Sequence, residues 1–367
     1  MSLASCFMVK NEALFIRDAI LSVSSISDEI LVMDTGSEDE TLEIIAELDL
    51  PQLRLIHESW KDDYSWSRNQ LIAAAKSDWI FFLDGDEILE PKQLSLLKES
   101  IQNPKLQAAS FIQRNYTQDA STADVTAATG SIPALKSSKD LFYFENWMER
   151  LLRKSSGLDY QGRIHESLFP AAQKKNIVIE KIPVVLHHYG RLKPEYQKKL
   201  KYYLKLTKRK LNEDYENPAA WVEWLLTLDE SAEQEEALLT AKEAVQKFPH
   251  IDLVLETSYR VALRAGAYDE ALVWIERLLK LNPRHAKARP EKTIALLYLG
   301  KWDECLQLCL ELIKGDAKNF LAHLHLGIIH FERREWTAAK QHLELAYQQK
   351  PHDVFLRSAL EKISTHQ

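Results

Sequence analysis

The sequence has few cysteines and no long hydrophobic run. Its 367 residues include three cysteines, Cys6, Cys305 and Cys309. So few thiols cannot form a disulfide framework, and they favour a reducing compartment, the cytoplasm. No window approaches the roughly 18 consecutive apolar residues of a membrane-spanning helix. The first residues do not combine a basic start with a long apolar segment, so we expect no signal peptide.

The chain also lacks an excess of basic residues and two common nucleotide-binding motifs. Its formal net charge of −7 argues against a general nucleic-acid binder. It contains no Gly-x-Gly-x-x-Gly, which argues against a dinucleotide-binding fold, and no Gly-Lys-Ser/Thr, which argues against a P-loop. The length itself predicts two or three domains of roughly 100–200 residues each.

Two of the cysteines are close enough to share one face of a helix. Cys305 and Cys309 are four residues apart. A zinc site would need two further ligands, and the sequence offers none at suitable spacing. We therefore interpret both cysteines as small, buried apolar residues.

The N-terminal half alternates short apolar runs with segments of helical periodicity. This alternation predicts βαβ units and a mostly parallel α/β sheet. The predicted strands are Leu3–Val9, Glu29–Asp34, Leu53–His57 and Trp79–Leu83, and the predicted helices are 11–26, 40–48 and 67–76.

Acidic side chains follow two of these predicted strands. The run Trp79–Leu83 ends in Asp84, Asp86 and Glu87, and Asp34 ends an earlier strand. Open α/β sheets bind their ligands at the carboxyl ends of the strands. A divalent cation bound to phosphate oxygens would relieve the repulsion among these carboxylates. The alternative interpretation is a solvated acidic turn.

Asp34 is followed by Thr-Gly-Ser. An acid in this setting is suited to accept a hydrogen bond from a sugar hydroxyl or from the N–H of a pyrimidine. A capped turn that leads into the next helix explains the same residues.

Four segments together resemble the family-2 glycosyltransferases of bacteria. They are Phe-Met-Val-Lys-Asn-Glu at 7–12, Asp-Thr-Gly-Ser-Glu-Asp at 34–39, Trp-Lys-Asp-Asp-Tyr-Ser-Trp-Ser-Arg-Asn at 60–69 and Leu-Asp-Gly-Asp-Glu at 83–87. Their order and spacing match the family over about residues 1–190. The resemblance implies a GT-A fold with one mixed sheet and an acceptor-binding part behind it. It also implies a nucleotide-sugar donor, a divalent metal (Mn²⁺ or Mg²⁺) and inversion at the anomeric carbon.

The same resemblance implies roles for individual residues. Asp34 would contact the base or ribose, Arg68 the uracil or phosphates, and Asp84 the ribose side of the Asp-X-Asp motif. Asp86 would bind the metal. The full sets that we predict are Asp34, Arg68, Asp84, Lys10 and Glu12 for the nucleotide sugar, and Asp86, Asp84 and His188 for the metal.

A segment further along the chain supplies a candidate base. Relatives with a helical tail have Gly-x-Ile-His-Glu at this place, which here is Gly162 to Glu166. An inverting transfer needs a base that takes the proton of the acceptor. We predict Glu166 as that base, with His165 orienting the base or the acceptor. The alternative is a surface Glu beside a packed His. Of the pair His187 and His188, we favour His188 as the metal ligand, while a structural pair remains open.

Two segments lack a clear assignment from sequence. Residues 117–140 are rich in Ser, Thr and Ala, and they read as a mobile lid over the donor or as an insertion without a role. Residues 191–210 carry nine Lys or Arg and an apolar stripe, which predicts an amphipathic basic linker over 191–217. This helix either has a solvated face or lies against an anionic membrane surface.

The C-terminal half repeats with a period of 34 residues. Small residues recur at Ala237, Ala271, Cys305 and Ala339, and prolines at Pro249, Pro283 and Pro351 fall on a second such grid. This period and pattern are typical of tetratricopeptide repeats, which form an all-α solenoid with a concave surface for peptides or subunits. The predicted repeats are 218–251, 252–285, 286–319 and 320–353, within a domain of 218–367 that follows the enzyme domain of 1–190.

The sequence therefore predicts a cytoplasmic glycosyltransferase with a tetratricopeptide array. It would move a hexose from UDP-glucose or UDP-N-acetylglucosamine to a peptide or protein. A lipopolysaccharide, teichoic acid or other cell-envelope glycan is the alternative acceptor. A rival of another class is a scaffold with an inactive GT-A domain. The expected partners are the nucleotide sugar, the acceptor and a second copy bound through the repeats, with no nucleic acid and at most peripheral membrane contact.

Overall fold

The protein consists of two compact units. The computed structural model describes residues 1–119, 125–135, 137–194, 196–350 and 353–364, apart from the side chains of residues 197 and 354. The first unit spans Met1–Lys199 and the second spans Leu200–Gln367. Within the described residues, no helix is both long and apolar enough to cross a membrane.

A nine-stranded sheet forms the centre of the first unit. Its strands are β1 (Leu3–Val9), β2 (Glu29–Asp34), β3 (Leu53–His57), β4 (Trp79–Asp84), β5 (Glu87–Leu89), β6 (Ala108–Thr117), β7 (Thr126–Ala127), β8 (Phe142–Arg153) and β9 (Ile179–His188). Their order is β3-β2-β1-β4-β8-β6-β9-β5, and β7 pairs with β8. The four strands predicted from the alternating pattern are mutually parallel. Antiparallel pairing of β8 with β4 and β6 makes the sheet mixed, as the family resemblance implies.

Helices cover both faces of this sheet. They are α1 (Ile16–Ser24), α2 (Thr41–Ala46), α3 (Tyr64–Ala74), α4 (Leu94–Ser100) and α5 (Phe169–Lys174). The central strand β4 shows why both faces are needed. Its alternate residues Trp79 and Phe81 pack in the same core as α1 and α4, whereas Ile80 and Phe82 pack in the core shared with α3 and α5. A strand that is apolar on both faces requires this two-sided cover.

The second unit contains four pairs of antiparallel helices and a final helix. They are α7 (Pro218–Glu230), α8 (Gln234–Lys247), α9 (Asp252–Arg264), α10 (Tyr268–Leu281), α11 (Ala288–Tyr298), α12 (Trp302–Gly315), α13 (Phe320–Glu332), α14 (Trp336–Gln349) and α15 (Val354–Ser364). The predicted solenoid of tetratricopeptide repeats is confirmed as the fold of this half. The second helix of each repeat carries one small residue, and this residue is fully buried. These residues are Ala237, Ala271, Cys305 and Ala339.

The basic segment before the repeats forms the helix α6 (Tyr196–Glu213). The apolar residues Leu200, Leu206 and Leu211 of this helix are buried, and Leu211 belongs to the core of the first repeats. Its apolar stripe is therefore covered by protein. Lys210 forms an ion pair with Glu223 of α7 at 2.6 Å.

The predicted loop 117–140 falls partly outside the described residues, at positions 120–124 and 136. Its described part is held to the sheet. Ile132 is buried in a cluster with Tyr116 and Tyr189, and the Tyr189 hydroxyl donates to the carbonyl of Pro133 at 2.5 Å. Whether this segment acts as a lid stays a prediction.

Candidate active site

The carboxyl ends of three parallel strands bring the predicted acids to one edge of the sheet. Strand β1 pairs on one side with β2, where Val9 lies opposite Asp34. On its other side it pairs with β4, where Met8 lies opposite Asp84. The two aspartates therefore flank the end of β1 from opposite sides, at the edge where such sheets bind ligands.

Asp34 is buried and its carboxylate organises the turn that follows. Its oxygens accept hydrogen bonds from the backbone N–H groups of Gly36 and Ser37 at 3.1 Å each. The loop after β1 braces the same turn, because the Asn11 side chain accepts from the Glu38 backbone at 2.8 Å. The structure thus has the capped turn that was the alternative interpretation, and the contact of Asp34 with a nucleotide stays a prediction.

Asp84 is held between two arginines. Arg68 of α3 donates to Asp84 Oδ1 at 2.9 Å, and Arg150 of β8 donates to Oδ2 at 2.8 Å. Burial alone would raise the pKa of Asp84, but the charges of Arg150 and Arg68 outweigh it and hold this pKa well below its usual value. Both carboxylate oxygens are committed to guanidinium groups. The role of Asp84 as a metal ligand stays a prediction.

The third acid of the motif, Glu87, is fully buried and supports Asp84. Its Oε1 accepts from Arg150 at 2.6 Å and from Gln113 at 2.6 Å. Its Oε2 accepts from the Asp84 backbone N–H at 2.9 Å. Arg150, which is 2% exposed, therefore donates to both Asp84 and Glu87. Sequence reasoning did not assign this arginine a role, although a charged residue inside an apolar strand is a usable signal.

The predicted base lies beside the same arginine cluster. Arg68 Nε donates to Glu166 Oε1 at 2.6 Å. The two residues meet because α3 is fastened to the segment before Glu166. The Asn69 side chain donates to the Tyr160 carbonyl at 2.9 Å and accepts from the Tyr160 backbone N–H at 2.9 Å. A capping hydrogen bond from the Trp66 N–H to Asp63 starts α3 three residues before its predicted beginning.

Glu166 is presented by a tight, closed turn. Gln161 and Ser167 exchange two backbone hydrogen bonds of 3.0 Å across it. His165 is exposed and has a φ of 50°, a left-handed conformation that costs energy for a residue with a Cβ. Neighbouring Glu149 of β8 contacts Ser167 at 3.4 Å, and burial raises the pKa of its carboxyl. Glu149 is thus a half-buried acid beside the predicted base, and sequence reasoning missed it.

Asp86 faces a different set of partners from Asp84. Lys193, which follows the turn Gly190–Leu192, places its ammonium 2.6 Å from Asp86 Oδ2. His188 places Nε2 3.5 Å from Asp86 Oδ1. Lys193 also pairs with Glu12. Burial, followed by the charge of Asp86, raises the pKa of Glu12 to about 7 despite this lysine. Lys10, the remaining predicted ligand of the nucleotide, is exposed.

Asp86 and His188 fit a divalent cation. Asp86 Oδ2 is buried beside the Lys193 ammonium, so this carboxylate already faces a positive charge. The Asn115 amide donates to the Gln113 carbonyl at 3.2 Å, so its oxygen faces His188 Nδ1 at 2.7 Å. That hydrogen bond places a proton on Nδ1, so Nε2, which faces Asp86, is the nitrogen that could bind a cation.

Gly190 leaves room between these two donors. A Cβ added at Gly190 would lie 2.8 Å from His188 Nε2 and 3.1 Å from Asp86 Oδ2. The space between the imidazole and the carboxylate thus depends on a residue without a side chain. Two protein ligands are a common number for Mg²⁺ or Mn²⁺ beside substrate phosphates.

Comparisons with known proteins agree with this division of the chain. Residues 6–155 match the family model described as Glycosyl transferase family 2. The chain is similar to a TPR repeat-containing protein of Synechococcus elongatus, with 32% identity over 194 residues, 51% of this chain and 42% of that protein. It is also similar to the SPbeta prophage-derived glycosyltransferase SunS of Bacillus subtilis, with 40% identity over 81 residues, 22% of this chain and 19% of that protein. The chain spans less than half the length of these curated relatives.

A solved tetratricopeptide repeat protein from Parabacteroides merdae is similar to 46% of this chain and 66% of its own, with 17% identity and a TM-score of 0.40. The family match covers the strands β1, β2 and β4, whose ends carry Asp34, Asp84 and Asp86. Residues 6–155 of this chain are thus similar to glycosyl transferase family 2, and they precede an array of tetratricopeptide repeats.

Proposed function

We propose that this protein is an inverting glycosyltransferase that moves a hexose from a UDP-sugar to an acceptor, with a peptide or protein as the favoured acceptor. One observation carries the proposal. Arg68 contacts both Asp84, at the end of β4, and Glu166, on the turn after β8. The expected donor side and the expected acceptor side of the reaction are thereby joined through one buried guanidinium.

Glu166 is placed to accept the proton of the acceptor. Arg68 occupies Oε1 and fixes the orientation of the carboxylate, so Oε2 is the oxygen that takes the proton. The acceptor oxygen, nitrogen or sulfur then attacks the anomeric carbon as the bond to the diphosphate breaks. A base held by a rigid partner needs little reorganisation during this step.

On the donor side, the cation would be held by Asp86 and His188. When bound, Mn²⁺ or Mg²⁺ neutralises charge that develops on the departing diphosphate. Lys193 and its neighbour Glu12 line the same place. A lysine beside a leaving phosphate adds a positive charge of its own, which supports a nucleotide diphosphate as leaving group. UDP-glucose and UDP-N-acetylglucosamine remain the donors that we propose.

The deciding experiment compares two Asp→Asn variants at opposite ends of β4. UDP release from UDP-glucose and UDP-N-acetylglucosamine is measured with Mn²⁺ for the wild type, Asp86→Asn and Asp78→Asn. Asp78 is an exposed acid at the opposite end of β4, where it accepts from the Ser2 backbone at 2.9 Å. We expect Asp86→Asn to lower turnover about a hundredfold or more, because metal charge neutralisation contributes several kcal/mol. Asp78→Asn should turn over normally.

Two outcomes would contradict the proposal. Full activity and unchanged Mn²⁺ dependence of Asp86→Asn would show that this acid does not serve the donor. No binding and no turnover of any nucleotide sugar by the wild type would favour the scaffold alternative. Transfer to a glycan acceptor but to no peptide would keep the reaction and replace the favoured acceptor.

A further inference from the structure

Three soft ligands meet inside the array of repeats, far along the chain from the acidic cluster. Cys305 and Cys309 lie four residues apart on α12, and His325 lies on α13. Both cysteines are fully buried and His325 is 4% exposed. One ligand atom from each of the three residues lies within 4.8 Å of the other two. The sequence predicted two cysteines without further ligands, and the fold corrects that prediction by supplying the histidine.

A hydrogen bond to a neighbouring residue fixes the tautomer of His325 that can bind a metal. Thr293 of α11 donates its hydroxyl proton to the Pro290 carbonyl at 2.5 Å. Its oxygen is 2.7 Å from His325 Nδ1 and therefore accepts the Nδ1 proton. This hydrogen bond fixes the tautomer and leaves the lone pair of the imidazole on Nε2, as is usual for metal-bound histidines. Burial lowers the pKa of His325 to about 4, so the ring is neutral near pH 7.

The two cysteines are departures from the pattern of the repeat itself. At the position of Cys305 the other repeats have Ala237, Ala271 and Ala339, and at the position of Cys309 they have Ala241, Ile275 and Leu343. All six of these residues are buried and apolar. In the other repeats, aliphatic side chains therefore fill the core at these two positions. Two thiols replace these aliphatic core residues in the third repeat, next to His325 of the fourth repeat.

We propose that Cys305, Cys309 and His325 form a structural zinc site that links α12 of the third repeat to α13 of the fourth. Thiolate and imidazole are ligands that Zn²⁺ prefers. Binding replaces the two thiol protons, which leave to solvent. The complex of Zn²⁺ with two thiolates and a neutral imidazole has no net charge, which an apolar core tolerates. That core consists of Leu296, Ala322, Leu326 and Ile329 among others.

A backbone oxygen beside the proposed site is a candidate for the fourth ligand. Cys305 Sγ lies 3.4 Å from the carbonyl oxygen of Thr293, to which the thiol donates. Once the thiol has lost its proton, the Thr293 carbonyl oxygen no longer accepts a hydrogen bond from Cys305. Its lone pair can then face a metal ion bound to the sulfur. Thr293 thus has two roles in the proposal, because its hydroxyl orients the imidazole and its carbonyl faces the metal.

The test uses the full-length protein, stripped of metal by a chelator and kept reduced, with Co²⁺ as a spectroscopic probe. Thiolate-to-Co²⁺ charge transfer gives a near-ultraviolet band that carboxylate sites cannot give. We expect one equivalent of Co²⁺ to develop this band together with the visible spectrum of tetrahedral cobalt. One equivalent of Zn²⁺ should abolish both signals and raise the melting temperature.

Variants separate this site from the rest of the molecule. Cys305→Ala introduces the residue of the other repeats, so it should fold and lose the band. Thr293→Val keeps the side-chain volume and should weaken Zn²⁺ binding about 10–100-fold, as expected for loss of a residue that orients a ligand. Cys6→Ala, which removes the buried cysteine of β1, and Asp86→Asn should both keep the band.

Each other result overturns the proposal. Absence of the band in the folded wild type would mean that the thiols do not bind a divalent cation. Persistence of the band in Cys305→Ala would place the metal elsewhere. A normal band with unchanged affinity in Thr293→Val would refute the assigned role of the His325–Thr293 contact.

Discussion

Asp84, Asp86 and Glu87 are neighbours in sequence, yet each faces a different environment. Asp84 pairs with Arg68 and Arg150, and Glu87 is buried against Arg150 and Gln113. Asp86 instead faces a lysine and a histidine. Asp86 lies in the turn between β4 and β5, whereas Asp84 ends the first strand and Glu87 begins the second, so one short motif serves two purposes. Asp86 is thus the acid of this motif that faces His188, the other predicted metal ligand.

Replacing Glu166 by Gln tests the base directly. The amide oxygen of Gln can still accept from Arg68, so the turn should keep its geometry, but the side chain can no longer take a proton. We expect the transfer rate to fall by about 10²–10⁴, while UDP binding measured by calorimetry should be unchanged. Acceptor transfer at saturating donor is the measurement that decides.

Glu145→Gln is the matched control for this prediction. Glu145 lies on β8 and forms an exposed ion pair with Arg114 at 2.6 Å. Its replacement should leave transfer intact, because surface ion pairs contribute little. Wild-type transfer by Glu166→Gln would exclude it as the base and direct attention to Glu149. For a thiol acceptor, the defect of Glu166→Gln should shrink as pH approaches about 8.5, where the thiolate forms unaided.

At the scale of the element, α13 and α14 approach each other closely at one glycine. A Cβ added at Gly327 would lie 2.6 Å from the side chain of Leu343. The helices cannot separate without disturbing the buried contacts of the last repeat. We expect Gly327→Ala to lower the free energy of unfolding by about 1–3 kcal/mol through overpacking, as measured by urea denaturation.

Gly315 provides the opposite case on a neighbouring helix. It is the last residue of α12, and nothing lies within 4 Å of an added Cβ. Gly315→Ala should be neutral or stabilise by up to about 1 kcal/mol, because alanine favours the helix. Equal effects of the two substitutions would refute the close-packing argument.

A cluster of histidines makes the last repeat sensitive to acid. Burial, followed by the charges of His323 and His330, lowers the pKa of His342 to about 4. His330 in turn pairs with Glu335. The unfolded chain has a histidine pKa of about 6.5, so it binds more protons than the folded chain between these values. Stability from neutral His342 is thus present above pH 6.5 and is lost as pH falls toward 4.

His342→Gln should therefore flatten the decline of the melting temperature between about pH 6.5 and 4. His250→Gln is the control, because His250 is exposed in the turn before α9 and its loss should leave the slope as in the wild type. Identical slopes for all three proteins would contradict the assignment of this acid sensitivity to His342.

At the scale of the whole molecule, the division between the two units determines where the chain can be cut. The first unit ends at Lys199, within α6. Leu204 and Leu211 of the same helix pack with the first repeats. A fragment that ends at Asn217 would expose both leucines, so the cut belongs at Lys199.

We expect the fragment 1–199 to bind UDP and to hydrolyse UDP-sugar slowly, because the acidic cluster and Lys193 lie within it. Transfer to a peptide acceptor should fall mainly through a raised KM, since the array would position the acceptor rather than act on it. Steady-state kinetics of a soluble fragment against the full chain provide the measurement. Unchanged acceptor kinetics and an unchanged oligomeric state would rule out a polypeptide-holding role for the repeats.

The sequence by itself determined the architecture, because both halves carry local periodic patterns. Apolar strands that alternate with helices predict the parallel core around β4, and a 34-residue spacing of small residues predicts the repeats. The sequence also identified Asp86 and Glu166 as candidates, since they stand in recognisable short motifs. These inferences need only neighbouring residues.

The tertiary structure decided which partners those residues have. Arg150 is 66 residues from Asp84, and Glu166 is 98 residues from Arg68. His325 reaches the two cysteines only because α12 and α13 pack together. Such contacts depend on how distant segments fold onto one another, and no local pattern records that. A burial-dependent property, such as the pKa of Glu12, follows from the same packing and could not be predicted from the order of residues.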